Sequence, residues 1–466
     1  MGMYADDIVI WVSTKNNAKQ HHTLEQTMNS VLNSLSKWAI ENNMEINASK
    51  TVYQFFSMRH KNDNFDLNIN NQKLPKSENT KYVGVYMDNK LTWKNHVENT
   101  ISKVNRRLRL IKRLAGATWG STQDTMNNTY KTYVKPVMTY GSEVHVTASN
   151  STLKALETTQ NNALGLITGG VKTTPILALQ MYTGHLPITR EIKQQAAVSL
   201  TKIRALVQNT WTPKTPDQQH LKTQMLPFNA VTSYLNQLQI PTVVEPICPT
   251  TAPTEYQSFH TKLSLLSEVK KNDTPAITLQ KLAIATINER YPPKEYLRIY
   301  TDGSLSKTDG KAGAGIYSEL FSHYISVGNH RTSFDGETTA IAIALQQLLL
   351  RPTAFKKAVL LVDSKSAIQA TASNKQATTQ MVQEARRAIK LLTNQNKSIV
   401  FQWIPSHVGI HGNETADLLA KKGTTLLSKH TALNPETIKR LIKQKNSTKF
   451  PPRGHCTIQQ HTMAKH

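Results

Sequence analysis

The sequence predicts an α/β fold for residues 295–430, a mixed five-stranded sheet flanked by helices, preceded by a mostly helical α+β region over residues 1–205. Three observations carry this. Strand patterns at 296–302, 312–319 and 321–328 follow one another directly, as in an antiparallel meander. From residue 335 helix and strand patterns alternate (helix 335–350, strand 357–363, helices 364–373 and 378–394, strand 398–404, helix 413–427), as parallel strands with crossover helices require. Asp302, Glu337, Asp363 and Asp417 each sit on a different one of these elements.

The totals bound the function. A chain of 466 residues can form two or three domains with real cores. Lys plus Arg is 56 and Asp plus Glu is 31, so the net charge is +25 and the pI about 9.8. That excess points to a polyanion, of which nucleic acid is the usual one; the alternative is a basic protein with no such partner. Cys248 and Cys456 are too far apart for a disulfide framework, so an intracellular chain is expected, with nucleus or cytoplasm left open. No signal-peptide pattern follows Met1 and no apolar run has membrane length, so no membrane partner is expected.

In residues 1–95, Met3–Val12 is a β pattern with Asp6 and Asp7 at its head, as in a hairpin whose turn presents carboxylates to a metal; a surface turn with two solvated acids is the plainer reading. Leu24, Met28, Val31, Leu32, Leu35 and Trp38 recur at helical spacing and predict a core face. Residues 81–88 read as a strand bent at Gly84. The ordered set Tyr4-Ala5-Asp6-Asp7, Asn47-x-x-Lys50-Thr51 and Tyr82-Val83-Gly84-Val85, continued by Leu91-Thr92-Trp93 and His96, resembles the palm of reverse transcriptases from non-LTR retrotransposons of the jockey-like group. The resemblance implies that Asp6 and Asp7 are polymerase carboxylates. The fingers, the nucleotide-binding residues and the earlier palm aspartate would then precede Met1, and RNA-directed DNA polymerase activity is not expected from this chain alone.

In residues 96–205, Ile101, Val104, Leu108 and Ile111 define the apolar side of a helix. Its outer face carries Lys103, Arg106, Arg107, Arg109, Lys112 and Arg113, a solvated face or a set of phosphate contacts. Helices are predicted over 121–137, 151–167 and 189–205. Tyr140-Gly141, Thr158–Leu164, Ile167–Gly169 and Thr174-Pro175 resemble the thumb and connection region of the same elements. Gly165 stands where relatives often carry a basic residue. Residues 206–294 are rich in Pro, Thr, Gln and Asn and read as a mobile linker with a short helix near 260–270 and an incidental Cys248.

Within 295–430, Ala312-Gly313-Ala314-Gly315-Ile316 has little side-chain bulk, as a central strand crossed closely by other backbone would. Val359–Val362 is continuously apolar, as in a strand buried on both faces, and ends at Asp363. Asn413 is a plausible N-cap for the helix that carries Asp417. A single Asp at a strand end or helix start is usually a turn or cap residue. Four acids delivered by different elements suit a two-metal phosphodiester hydrolase, whose ions lie roughly 4 Å apart and need bridging carboxylates.

Tyr300-Thr301-Asp302-Gly303-Ser304, Gly336-Glu337, Val362-Asp363-Ser364 and Trp403–Asp417 resemble type 1 ribonuclease H over about 130 residues. The resemblance implies that Asp302, Glu337, Asp363 and Asp417 bind two Mg²⁺ ions (Mn²⁺ being the alternative), that His407 aids proton transfer or product release, and that the RNA strand of an RNA–DNA hybrid is cut. Histidine titrates close to neutrality and can shuttle protons. Gly303, Ser304 and Ser364 follow two of the acids and are candidates to approach the sugar-phosphate backbone. His407 and His411 have the spacing of a helical zinc pair, but Pro405, Gly409 and Gly412 argue against a helix there. No small-molecule cofactor is expected.

Residues 431–466 read as a basic, disordered tail, and Cys456 with His455, His461 and His466 lacks the tight spacing of a zinc knuckle. The sequence therefore predicts a truncated retrotransposon polyprotein: a palm remnant (1–95), a helical thumb/connection region (96–205), a linker (206–294), a ribonuclease H domain (295–430) and a tail. The function expected is a metal-dependent ribonuclease acting on RNA–DNA hybrids. The alternatives are an inactive nucleic-acid-binding relic and a polymerase subunit completed by another chain.

Overall fold

The computed structural model describes residues 2–13, 18–56, 64–116, 120–206, 225–248, 260–269, 273–427 and 432–449. Two units share the chain: one is formed by Met1–Ala196 with Gln219–Ala230 and Ser447–His466, the other by Ala197–Gln218 and Val231–Asn446.

The first unit opens with the hairpin β1 (Gly2–Tyr4) and β2 (Asp7–Val9). Tyr4 pairs with Asp7, so the turn is Ala5–Asp6, and Ala5 has φ 51°. Asp6 and Asp7 are exposed there. Next come α1 (Ala18–Glu41), β3 (Asn68–Ile69), β4 (Gln72–Lys73), β5 (Asn79–Tyr82) and β6 (Val85–Asp88). The apolar stripe of α1 covers Leu67, Ile69 and Leu74 with Leu32 at its centre and Leu24 and Met28 beside it. Trp38 is not part of it and is 40 % exposed, because the buried positions advance by four (Leu32, Ser36) and then to Ala39, one step past the tryptophan.

The segment predicted as one bent strand is a tight hairpin. Tyr82 pairs with Val85, and Val83 and Gly84 both have positive φ (45° and 80°), as a two-residue type I′ turn demands. Asp88 ends β6 by accepting hydrogen bonds from the backbone N–H of Lys90, Thr92 and Trp93, which turns the chain into α2 (Lys94–Leu114). Val97, Val104 and Ile111 bury one side of α2. The helical predictions that follow are met by α3 (Gln123–Thr129), a π-helical turn (Tyr130–Val134), α4 (Lys135–Thr139), α5 (Ser142–His145), α6 (Asn150–Thr168), α7 (Ile176–Thr183) and α8 (Ile188–Ala205).

The stretch read as linker is partly built into the second unit. It supplies α9 (Pro227–Gln237) from Val231 on, β7 (His260–Lys262) and α10 (Ala276–Arg290). Residues 260–262 are therefore a strand, not the expected short helix, and the helix lies further on. The unit continues with β8 (Tyr296–Leu305), β9 (Lys311–Ser318), β10 (Ser322–Asn329), α11 (Ser333–Leu349), β11 (Lys357–Val362), α12 (Lys365–Ala372), α13 (Gln380–Asn394), β12 (Ser398–Trp403), α14 (His411–Thr424) and α15 (Pro435–Lys449).

The sheet order is β10-β9-β8-β11-β12-β7, antiparallel from β8 to β10 and parallel from β8 through β11 and β12 to β7. The predicted five strands are all present, and β7 is a sixth. It joins because Arg290 of α10 donates to the carbonyls of Ser264 (3.0 Å) and Leu265 (3.1 Å) and to Oε1 of Gln402 on β12 (3.1 Å). Those bonds satisfy a glutamine side chain that is otherwise fully buried.

The tail reading is also corrected for the residues described. Ile438 and Ile442 of α15 are fully buried, Val244 bridges to Leu433, and Arg331 pairs with Glu245 and donates to the Ala432 carbonyl (2.7 Å). These contacts join stretches far apart in sequence, and composition does not record them. Cys248 is buried against Ala377 and Val382. Cys456 and the three tail histidines lie outside the described residues.

Candidate active site

Glycines on β8 and β9 bring two helices onto the sheet. Asp302 pairs with Gly315 and Ser304 with Gly313, so these glycines share the face of Asp302. A Cβ at Gly315 would lie 2.1 Å from the Ala416 carbonyl oxygen, and one at Gly313 2.3 Å from that of Ala420. The backbone of α14 therefore rests directly on β9 and carries Asp417 to Asp302. Gly303 points to the opposite face, where a Cβ would lie 2.2 Å from the backbone nitrogen of Glu337. α11 is thus pressed onto β8 at the residue that bears the second acid. A capping box between Thr332 and Asp335 starts that helix four residues earlier.

Asp302 lies within β8 rather than at its end, because antiparallel pairing with β9 carries the strand on to Leu305. The parallel pairing with β11 stops at Thr301–Val362, and this register places Asp363, the residue directly after β11, beside Asp302. α14 begins at His411 with Ile410 as its cap, so Asn413 is inside the helix, buried, and not the N-cap. Gly412 fits there because its missing Cβ leaves room for the Tyr300 ring.

A cleft of about 520 Å³ is lined by Asp302, Gly303, Glu337, Asp363, Ser364, Lys365, Ser366, Trp403, Ser406 and His407. His407 is exposed, in a loop that is not helical, and has φ 54°. Its ring lies beside Glu414 and Asp417; ligand atoms of the three are all within 4.8 Å of one another. His411 is not part of that group. Lys421 donates to Asp417 (2.6 Å).

The electrostatics are those of crowded, buried acids, of which Asp417 is paired with Lys421. Burial, and then the charges of Asp363 and Asp417, pushes the Asp302 carboxyl up to about 8 against the opposing hydrogen bond from Gly303 N–H (2.7 Å). Burial, and then Asp363 and Asp302, pushes Glu337 up to about 8. Glu337 Oε2 is buried with no hydrogen-bond partner. An all-oxygen donor set under mutual repulsion, with one orphaned carboxylate oxygen, fits a hard divalent cation.

A family model described as RNase H matches residues 294–425. Those residues are an RNase H domain. The domain carries all four acids and His407, and it begins after α10. The chain is also homologous to jockey-type retrotransposon RNA-directed DNA polymerases. It is 28% identical over 166 residues to the RNA-directed DNA polymerase from mobile element jockey of Drosophila funebris and 25% identical over 166 residues to that of Drosophila melanogaster. Each match covers 36% of this chain and 18% of the relative, so the matched segment spans about a fifth of the relatives' length.

The structure gathers Asp302, Glu337, Asp363 and His407 around the cleft of the RNase H domain, with Gly303 and Ser364 in its lining. Ser304 is not among the lining residues, and Ser364 is engaged as the N-cap of α12, accepting from Ala367 N–H (3.2 Å). Sequence reasoning missed Lys365, whose ammonium stands 4.1 Å from the Trp403 ring centroid in the same cleft. It missed Glu414 as well. Their signal was adjacency: each lies two or three residues from a named acid.

In the first unit Arg106, Arg109, Lys112 and Arg113 are exposed on α2. Lys103 lies over the Tyr86 ring and Arg107 over the Tyr133 ring, so these two are partly withdrawn from the predicted basic face.

No helix among the described residues is long and apolar enough to cross a membrane.

Proposed function

We propose that the RNase H domain is of type 1 and hydrolyses the RNA strand of RNA–DNA hybrids, with two Mg²⁺ ions held by Asp302, Glu337, Asp363 and Asp417. The observation that carries this reading is the placement of three of these acids around one cleft, with Asp417 against Asp302, while Asp302 and Glu337 are both pushed to about 8. When bound, the ions would activate the attacking water and neutralise charge on the leaving oxygen.

The chain's own residues do the remainder. Asp302 on β8, Asp363 directly after the neighbouring β11, and Glu337 and Asp417 on the two helices fix the carboxylate frame. Exposed His407 holds or moves a proton at its ring nitrogens beside Glu414 and Asp417. Lys365, restrained by the Trp403 face, offers a cation to a backbone phosphate at the cleft. Ser364 and Gly303 line the approach. The exposed basic residues of α2 add sequence-independent phosphate contacts. Asp6 and Asp7 are the remnant of a polymerase metal site; among the described residues they form no group of three metal-ligating side chains.

The test is cleavage of a labelled hybrid by the full chain in Mg²⁺, beside an Asp363→Asn variant. Cutting of the RNA strand by the first alone, leaving 3′-hydroxyl and 5′-phosphate ends, supports the reading. Binding of hybrid without cutting by either chain would favour a nucleic-acid-binding relic.

A further inference from the structure

α10 lies outside the matched residues 294–425, yet it reaches the loop that carries His407. Leu279, Ala283 and Ile287 anchor the helix in the core, and Arg290 holds its end to the β7 segment and to Gln402. Beside Leu279, Gln280 turns outward. Its Nε2 donates to the carbonyl oxygen of Gly409 at 2.8 Å. Only the amide nitrogen can face a carbonyl, so the orientation of this side chain is fixed by its partner.

Gly409 is held from its other side too, because its N–H donates to Glu414 Oε1 (3.3 Å). Its φ is +84°, a backbone region that favours glycine, and a Cβ there would meet Gln280 Nε2 at 2.6 Å. Two residues before, His407 has φ +54°. A non-glycine residue in the left-handed region is disfavoured and persists where the surroundings enforce it. Two side chains hold the chain at Gly409, two residues on: the glutamine of α10 on the carbonyl and the glutamate of α14 on the amide.

We propose that Gln280 is a positioning residue for His407, acting through the Gly409 carbonyl to hold the histidine loop over the cleft. The inference rests on the reading of His407 as the proton-handling group. It extends the catalytic unit to a helix that precedes the RNase H domain.

The test uses the full chain with Gln280→Met, which keeps the length and loses the donor, and Gln280→Glu, which sets a carboxylate against the carbonyl. Each is made alone and with His407→Ala. Loss of one hydrogen bond predicts a fall in kcat of about three- to tenfold, with KM within about twofold. In the His407→Ala background the same substitutions should change kcat less than about twofold, since the residue they position is gone. Amide hydrogen exchange of residues 404–411 should quicken in both single variants, with the sheet unchanged. An equal loss of kcat with and without His407, or unchanged exchange of 404–411, would overturn the proposal. If the parent chain cuts no hybrid, the ribonuclease reading fails, and the exchange measurement still decides whether Gln280 restrains the loop.

Discussion

Gly303 and Glu337 meet backbone to backbone: the absent side chain of the first leaves the space that the main-chain nitrogen of the second occupies. A methyl group there would stand 2.2 Å from that nitrogen and 2.6 Å from the Ser333 carbonyl oxygen, both main-chain atoms that cannot swing aside. Gly303→Ala should therefore lift α11 from β8, costing about 1–3 kcal/mol as overpacking usually does. Glu337 moves with the helix, so hybrid cleavage should fall further than the stability loss accounts for at a temperature where the variant remains folded. Urea denaturation and a cleavage assay on the same preparation check both. Full activity in a stable variant would show that the contact does not set the position of Glu337.

The two units should answer pH in opposite senses when metal is withheld. Asp302 and Glu337 keep their protons up to about 8 in the folded state. In the unfolded chain such carboxyls titrate near about 4. Between these values the folded state binds more protons, so stability of the second unit falls as pH rises from about 4 to about 8. In the first unit burial, and then the nearby His96, holds His145 down at about 4; burial, and then Lys135 and Lys131, holds His185 at about 3. Here the unfolded chain takes up protons first, below about 6.5, and stability is lost as pH falls from there. Calorimetry in chelator from pH 5 to 8 should show two transitions moving apart in sign. Saturating Mg²⁺ should raise the RNase H transition alone, and more at pH 8 than at pH 5. Asp302→Asn should raise that transition in chelator while abolishing cleavage.

Arg331 and Glu245 form an ion pair with side chains only 9% and 14% exposed. Removing one partner of a buried pair typically costs about 3–5 kcal/mol, because the other charge is left without compensation. Arg331→Met should show that loss, and it should also release the segment at Ala432, whose carbonyl Arg331 engages. Adding Glu245→Leu should recover much of the stability. A double variant as unstable as the single one would mean that shape, not charge, is what the pair supplies.

Arg106, Arg109, Lys112 and Arg113 are exposed cations in the C-terminal half of α2. Replacing the four with Gln should weaken hybrid binding and flatten the dependence of log K on log salt by up to about 0.9 for each phosphate that is no longer neutralised. The kcat for bound hybrid should stay unchanged. An unaltered salt slope would return this face to the status of a solvated helix surface.

Much of the site was legible because its signals are local. Each acid belongs to or adjoins a strongly patterned segment, and the Ala-Gly-Ala-Gly run announced a strand with backbone laid across it, which α14 and its contacts with Gly313 and Gly315 supply. The change from antiparallel to parallel pairing followed from the order of strand and helix patterns. What escaped were pairings that leave no period in the chain. β7 joins the sheet through three residues in a Pro- and Thr-rich stretch, and Val244 meets Leu433 across nearly two hundred positions. Asn413 was misplaced because a good capping residue says nothing of Gly412 seated on the Tyr300 ring, where the helix is already under way. Val83–Gly84 escaped as a turn because a valine at positive φ is rare enough that the strand pattern on both sides prevailed.

β7 has a bearing on how this protein can be handled. Without it, β12 would be the outermost strand, parallel to its neighbour and mostly apolar, with a row of unanswered amides and carbonyls along its rim. Such a rim templates association with further copies. An excised piece limited to residues 294–425 would expose that rim, and Gln402 with it. Aggregation during purification would then reflect the cut, and a start before His260 should restore a monodisperse protein.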